Sequence, residues 1–375
     1  MKLQTLRVQN FKALIDSRVV KLGPLAVFVG NNGSGKSSLI EALETYQAIV
    51  LQGLDSAMNR WLGIEHVRHK ASQAASPIVF QLAIGTTARK VTRCELQVGN
   101  DAAANNIYIK TEEIFSAPDK RVSQGTYQAQ ISGTGVVRKL VVGASLLSAP
   151  QVPFVAEVAN HIAAWQFLTL QPEVMGVPQP QQRTGGGVRL RKDGSNIADY
   201  LLEIRKLSID AFEGIVQAMA YVLPYARDLQ AAITSELERK AYLQLTESDF
   251  KVPGWMLSTG TLRVLALLAV MRHPNPPPLI VIEEIENGLD PRSIHLLIEE
   301  IRSAVSSGVT QVILTTHSPY LLDLLKLDQI TLVARDASGE PRFHRPSNSE
   351  SLQRWALEFA PGRLYTMGKL HEVAL

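Results

Sequence analysis

Gly30-Asn31-Asn32-Gly33-Ser34-Gly35-Lys36-Ser37 follows directly on the apolar run Leu25 to Val29. The spacing is G-x-x-x-x-G-K-[ST], with a strand pattern before it and a helix pattern after it. Glycines let a backbone wrap closely around a polyphosphate and turn several N–H groups onto its oxygens. In such a loop Lys36 reaches the terminal phosphates and Ser37, followed by Ser38, can hold Mg²⁺. The helix starting near Lys36 adds the positive end of its dipole. The stretch from Gly30 to Ser38 therefore predicts a nucleotide phosphate site.

A second chemical signal is the acidic pair Glu283-Glu284, placed after the buried-strand run Leu279-Ile280-Val281-Ile282. Two adjacent carboxylates at such a strand end repel each other, and burying them unpaired is costly. A Mg²⁺ and a water to be activated resolve that cost. Glu283 is then the metal-side acid, through a water, and Glu284 the base that orients the attacking water. His317 follows the strand pattern Gln311 to Thr316, where its imidazole can meet a γ-phosphate. The catalytic set predicted from these residues is Glu284, His317 and Lys36, with Ser37 and Glu283 on the metal.

The elements that must position these groups follow from periodicity. Residues 2–29 read as three short strands, and a helix runs from Lys36 to about Leu51. Ile78 to Ile84, Ile107 to Lys110 and Val136 to Val142 read as short strands, followed by a loop-rich stretch with several prolines and Gly185-Gly186-Gly187. Asn196 to Leu207 and Ser208 to Val222 have helical spacing, with Ser208 as N-cap. An apolar helix follows Leu257-Ser258-Thr259-Gly260-Thr261-Leu262-Arg263 and ends near His273; another runs from about Pro291 to Ser306. Strands alternating with helices, and active groups at strand ends, give the doubly wound α/β pattern. The expected segments are 1–75, the N-terminal lobe with the phosphate loop; 76–250, a β layer and a helical and loop insertion; 251–335, the C-terminal lobe; and 336–375, an extension.

With 375 residues, 46% hydrophobic and 19% charged, the chain can bury a large core as one domain or two. A net charge of +3 excludes a broadly basic nucleic-acid binder, so any such contact must be a local patch. One cysteine, Cys94, excludes an internal disulfide framework and fits a reducing compartment. The N-terminus lacks the apolar core of a signal peptide, and no run of about 18 apolar residues is present, so the expectation is a cytoplasmic protein with no membrane contact. No sustained heptads occur, so long coiled-coil arms are not expected.

In order along the chain, Gly30–Ser37, Leu257–Arg263, Ile280–Glu284, Gly288–Pro291 and Thr315–Pro319 resemble the Walker A, signature, Walker B, D-loop and switch-histidine motifs of ABC-type ATPases. Leu6-Arg7-Val8-Gln9-Asn10-Phe11-Lys12, with Glu283-Glu284-x-Glu286-Asn287-Gly288-Leu289, resembles the RecF/SMC-like ATPases. Closer still are the stand-alone AAA ATPases related to the OLD (overcoming lysogenisation defect) family. Leu190-Arg191-Lys192-Asp193-Gly194-Ser195-Asn196-Ile197-Ala198 is similar to another element of that group. The resemblance implies a P-loop NTPase with an ABC-type head, a doubly wound sheet joined by an N-terminal antiparallel β layer. It also implies ATP and Mg²⁺ as cofactors, with Ser258, Thr259, Gly260 and Asp290 contacting nucleotide.

Three departures stand out. Ile285 and Asp290 replace the proline and histidine of the usual E-E-P-E-N-G-L-H-P, Asp290 moving towards the standard D-loop. The Gln-loop is open between Gln73 and Gln81. The TOPRIM nuclease of OLD proteins proper has no room in the roughly 40 residues after the last sheet strand.

With one phosphate loop and one signature per chain, the resemblance implies a homodimer that sandwiches ATP, closing on binding and opening on hydrolysis. The leading expectation is an ATP-gated clamp or sensor acting on DNA, or on a separate effector such as a nuclease, in repair or phage defence. Arg183, Arg189, Arg191 and Lys192 form one candidate nucleic-acid contact and Arg60, Arg68, His69 and Lys70 a second; solvated basic loops account for each equally well. Two other classes are the ATPase subunit of a membrane transporter and a regulatory scaffold with little hydrolysis.

Overall fold

The computed structural model describes residues 1–72, 76–87, 90–101, 106–116, 120–125, 128–131, 137–139, 143–148, 150, 152–182, 187–235 and 237–372. The chain divides into two compact units, Met1–Trp165 with Leu325–Leu375, and Gln166–Leu324. The segment expected at 76–250 thus contributes to both units, and the residues after 336 fold with the first.

The first unit opens with β1 (Lys2–Phe11), β2 (Leu14–Asp16), β3 (Val20–Lys21) and β4 (Leu25–Val29), four strands where three were expected. On β1 the buried residues are Leu3, Leu6, Val8 and Phe11. The alternation slips after Leu3 because the register with its neighbour shifts between Leu3 and Thr5, and an extra residue there re-aims the rest of the strand. Helix α1 (Lys36–Gln52) then leads to α2 (Leu54–Asn59) and α3 (Ile64–Val67).

Strands β5 (Ile78–Thr87), β6 (Lys90–Asp101), β7 (Asn106–Ser116), β8 (Lys120–Gly125), β9 (Gln128–Ile131) and β10 (Val137–Lys139) extend the same antiparallel sheet, in the order β10-β9-β8-β7-β6-β5-β1-β2, with β3 also on β1. Thr92, Cys94, Leu96 and Val98 of β6 are buried at every second position, the period of a half-buried strand. Of the run expected at Val136 to Val142, residues 137–139 form β10, and 136 and 140–142 lie outside the described residues. Helix α4 (Pro153–Ala163) occupies part of the stretch expected as loop.

In the second unit β11 (Gln166–Leu168), α5 (Pro172–Met175) and β12 (Gln179–Pro180) come first, followed by α6 (Ile197–Leu207) and α7 (Ile209–Val222). Ser208 caps α7 as expected, its hydroxyl accepting the Ala211 N–H at 3.2 Å. β13 (Ala226–Ile233), β14 (Lys240–Glu247) and β15 (Phe250–Pro253) form an antiparallel sheet with β12, ordered β12-β14-β13 with β15 on β14. Helix α8 (Thr259–Met271), β16 (Leu279–Ile282), α9 (Pro291–Ser306), β17 (Gln311–Thr316) and α10 (Pro319–Asp323) complete the unit.

β16 runs parallel to both β11 and β17, Val281 facing Phe167 on one side and Ile313 on the other. All four residues of β16 are buried, as a parallel strand covered on both faces requires. Helix α8 is apolar nearly all round, and Leu262, Val264, Leu265, Leu267 and Leu268 are buried, each contributing roughly 1.5–3 kcal/mol. Helix α9 instead buries one stripe, Ile294, Leu297, Ile298 and Ile301.

The chain returns to the first unit through β18 (Ile330–Arg335), which pairs parallel with β4 and antiparallel with β19 (Pro341–His344). Short helices α11 (Glu350–Trp355), α12 (Pro361–Thr366) and α13 (Lys369–Glu372) follow. Among the described residues, no helix is long and apolar enough to cross a membrane.

Candidate functional site: a phosphate loop and an acidic turn

β4 is buried along its whole length and delivers the chain into the glycine-rich loop. A Cβ on Gly30 would lie 2.1 Å from the Val333 carbonyl oxygen of β18, so the first residue of the loop has no room for a side chain. Gly35 has φ +111°, and a Cβ there would come within 2.8 Å of Pro341. Lys36, the first residue of α1, is buried, and its Nζ donates to the carbonyls of Gly30 at 2.6 Å and Asn31 at 3.0 Å. The ammonium thus spans the ring of backbone that would hold a phosphate. Ser34 Oγ is buried with no hydrogen-bond partner among the described residues, an orphan polar atom inside the loop. Asn31, Asn32, Gly33 and Ser37 are exposed and Ser38 is half-buried.

One residue of this loop escaped sequence reasoning. Arg335, at the end of β18, donates from Nε to the Gly33 carbonyl at 2.9 Å and from Nη1 to the Gly339 carbonyl at 2.6 Å. It fastens the loop tip from a strand some 300 residues away, and no local pattern announces it.

In the second unit the acidic turn leaves β16. The Glu283 N–H donates to the Leu168 carbonyl at 3.3 Å, and its Oε1 lies 3.5 Å from Thr169 Oγ1. Glu284 is exposed and has φ +48°, a left-handed conformation that costs a residue with a side chain free energy. Its N–H donates to Thr315 Oγ1 at 2.8 Å, and its Oε2 accepts from Asn287 Nδ2 at 2.5 Å. Glu286 Oε1 accepts the backbone N–H of His317, which joins the acidic turn to the histidine loop. Glu284, Glu286 and His317 are therefore brought together within this unit.

Ser258 is the N-cap of α8, its hydroxyl accepting the Thr261 N–H at 3.1 Å; Ser258 and Thr259 are exposed and Gly260 is half-buried. Asp290 caps α9, accepting the N–H of Arg292 at 2.9 Å, the N–H of Ser293 at 3.1 Å and the Ser293 hydroxyl at 2.5 Å. The Ser293 hydrogen bond holds its carboxyl below the usual range. The aspartate in place of the usual histidine thus has a local structural reason: it starts the next helix.

The remaining expectations fare differently. Gln81 lies on β5 and donates to Glu95 Oε2 at 2.9 Å, a cross-strand partner in the β layer, while Gln73 lies outside the described residues. Arg60 pairs with Glu44 at 2.7 Å, and Arg68 is buried and bonds Asn100. His69 is half-buried, 3.8 Å from Glu340, and Arg60 and Lys70 are exposed. Arg183 lies outside the described residues, as do Gly185 and Gly186. Arg189 and Arg191 are exposed; Lys192 is half-buried, and its carbonyl accepts the Thr169 N–H at 2.9 Å. Cys94 is buried, and burial pushes its thiol up to about 12, so it is no nucleophile.

The residues fit a magnesium–nucleotide. Among the described residues no group of three or more His, Cys, Asp or Glu could hold a metal ion by itself. A Mg²⁺ here would take most of its ligands from phosphate oxygens and waters, which is its habit beside nucleotides.

Comparison with known proteins agrees with this geometry. Residues 192–323 match the family described as "AAA domain, putative AbiEii toxin, Type IV TA system", and residues 1–48 match "AAA ATPase domain". A Nod factor export ATP-binding protein I of Rhizobium etli is 32% identical over 144 residues, 38% of this chain and 42% of that protein. The chain therefore spans less than half the length of this relative. An ATP/GTP phosphatase of Helicobacter pylori is 21% identical over 345 residues, 88% of each chain. An SMC head solved bound to the C-winged helix domain of ScpA superposes with a TM-score of 0.56 at 14% identity, over 92% of this chain and 98% of the other. A Pyrococcus furiosus Smc head with an extended coiled coil gives 0.52 at 12% identity, over 100% and 99%. The fold is that of the P-loop ABC-type ATPase heads, and the chain is similar to ABC/RecF–SMC-like AAA ATPases over the segments that carry the phosphate loop and the acidic turn. Among the described residues the longest helix is α1, with 17 residues.

Proposed function

We propose that the protein is a cytoplasmic enzyme that hydrolyses ATP to ADP and phosphate, closes as a homodimer around ATP, and uses that cycle to gate DNA binding or a separately encoded effector such as a nuclease. In this reading Gly30–Ser38 cradle the phosphates and Lys36 neutralises the β and γ groups. Ser37 and, through a water, Glu283 would hold a Mg²⁺, which when bound would neutralise charge on the phosphates. Glu284 orients the attacking water and accepts its proton, while His317 contacts the γ-phosphate. The observation that carries the dimer is the N-terminus of α8: Ser258 and Thr259 lie exposed at the positive end of a 13-residue helix. Such an end attracts a phosphate, and one phosphate loop with one signature per chain gives two complete sites only in a pair.

Defence against phage is favoured by the match to an AbiEii-type domain. The test is the solution mass of Glu284→Gln by light scattering, with and without ATP and Mg²⁺. An ATP-dependent doubling of mass that Ser258→Arg abolishes supports the reading. An unchanged mass despite nucleotide binding overturns the ATP-closed homodimer.

A second reading, the ATPase subunit of an exporter, is favoured by the alignment with Nod factor export ATP-binding proteins. Co-fractionation of the protein with membranes would select it.

A further inference from the structure

In the unit formed by Met1–Trp165 with Leu325–Leu375, the hairpin β18–β19 backs the phosphate loop. It meets the loop at each of its glycines. Val333 lies against Gly30 and Pro341 against Gly35, in both places so closely that an added Cβ would find no room. Between them, Arg335 donates from Nε to the Gly33 carbonyl at 2.9 Å. A peptide unit is planar and trans, so the Gly33 carbonyl and the Ser34 N–H are opposite ends of one rigid plate. That N–H donates to the Asn31 carbonyl at 3.1 Å, and the same carbonyl accepts from Lys36 Nζ at 3.0 Å. A continuous chain of contacts thus runs from Arg335, through one peptide plane, to the Lys36 ammonium.

Arg335 is itself braced. Its Nη1 donates to the Gly339 carbonyl at 2.6 Å, in a turn that Asp336 organises. Asp336 Oδ1 accepts the N–H of Ser338 at 2.9 Å and of Glu340 at 3.0 Å, while its Oδ2 accepts Arg342 Nε at 2.7 Å. One planar guanidinium bridging two carbonyls fixes direction as well as distance. The loop needs such a restraint, because Gly33 at φ +74° and Gly35 at φ +111° are residues with much backbone freedom to lose.

We propose that Arg335 is a positioning residue for the nucleotide: by holding the Gly33–Ser34 peptide it sets the Asn31 carbonyl, and through it Lys36, where the loop can grip a phosphate. In this role Arg335 acts through the backbone and not by contact with phosphate. The proposal rests on the reading in which Gly30–Ser38 cradle phosphates, and it adds what keeps that cradle in shape.

The experiment uses the full chain as wild type, Arg335→Ala, Arg335→Lys, Lys36→Ala and the Arg335→Ala/Lys36→Ala double variant. Fluorescent ATP and ADP analogues are titrated with Mg²⁺ well below the melting temperature, and hydrogen exchange of residues 30–36 is followed without nucleotide. Arg335→Ala is expected to weaken both nucleotides roughly fivefold to thirtyfold. Exchange of the loop should quicken by about tenfold, with the later turns of α1 unchanged. Arg335→Lys keeps the charge but not the fork, so it recovers only part of the affinity. In the double variant the loss is smaller than the product of the two single losses, because Arg335 acts through Lys36.

Unchanged loop exchange in Arg335→Ala, or faster exchange with unchanged affinity, would overturn the positioning role. So would full recovery by lysine, which makes charge alone sufficient, or losses that multiply in the double variant, which make Arg335 a separate phosphate contact. Failure of the underlying reading looks different. Nucleotide affinity that Lys36→Ala leaves unchanged rejects the phosphate cradle and with it the nucleotide role of Arg335, whereas loop exchange reports on the hold over Gly33 without any nucleotide.

Discussion

The backbone N–H of Glu284 donates to the side chain of Thr315 at 2.8 Å, joining the residue after Glu283 to the next-to-last residue of β17. Ile285 adds its own N–H to the Thr315 carbonyl at 3.4 Å. These two bonds hold Glu284 at φ +48°, a conformation that survives only where its surroundings over-determine it. The carboxylate stays exposed, with one oxygen accepting from Asn287, which is compatible with the proposed role of orienting a water.

Glu284→Gln keeps the shape and removes the proposed base. Phosphate release is expected to fall by roughly a hundredfold to ten-thousandfold, with nucleotide affinity retained. Glu284→Gly should be equally inactive yet melt no lower than wild type, because glycine relieves the left-handed strain. A glycine variant that is clearly less stable would show that the side chain holds the turn together.

How far the sequence disclosed this site depends on whether a residue's task is local. Gly30 to Ser38 and Glu283-Glu284 were legible because a buried strand and a phosphate-binding turn each need contiguous residue types. β6, β8 and the β13–β15 sheet were not, because Arg, Gln, Glu and Thr on their solvated faces dilute the apolar alternation. Arg335 was invisible for a different reason, since its contact with the Gly33 carbonyl joins elements distant in sequence that only folding brings together. Asp290 also caps α9, a local signal that is readable in the sequence beside the chemistry expected of it.

Lys36→Ala removes the ammonium that bridges the Gly30 and Asn31 carbonyls. A charge-assisted hydrogen bond to phosphate is worth roughly 1.5–3 kcal/mol, so nucleotide affinity should fall by about tenfold to a hundredfold. Chelating Mg²⁺ with EDTA should abolish turnover in wild type, because the phosphates then lose their counter-charge. Fluorescent-nucleotide titration and phosphate release check the two outcomes.

Asp290 separates stability from catalysis. Asp290→Ala deletes three acceptor contacts at the start of α9 and should cost about 1 kcal/mol, whereas Asp290→Asn caps nearly as well. The carboxyl is held below its ordinary value, so its contribution is present above the unfolded pKa and lost as pH falls through the folded one. Urea denaturation of both variants is the check. Equal stability of wild type and Asp290→Ala would dismiss the cap as the reason for the aspartate.

Glu112 predicts an opposite pH dependence. It is buried on β7 and accepts hydrogen bonds from Ser145 Oγ at 2.6 Å, the Leu146 N–H at 2.8 Å and the Gln124 side chain. Tyr46 of α1 and Cys94 of β6 lie in its field. Burial pushes its carboxyl up to about 7 despite those donors. The folded state therefore holds the proton more tightly than the unfolded chain, where a glutamate titrates near about 4.3. The stability this confers is fully present below the unfolded value and is lost as pH rises through about 7. The loss is on the order of 3 kcal/mol across that window. Glu112→Gln stays neutral throughout, so urea denaturation at pH 5 and pH 8 should show wild type losing stability between the two relative to the variant. Parallel pH profiles would mean that Glu112 is already ionised in the fold, its charge carried by the three donors.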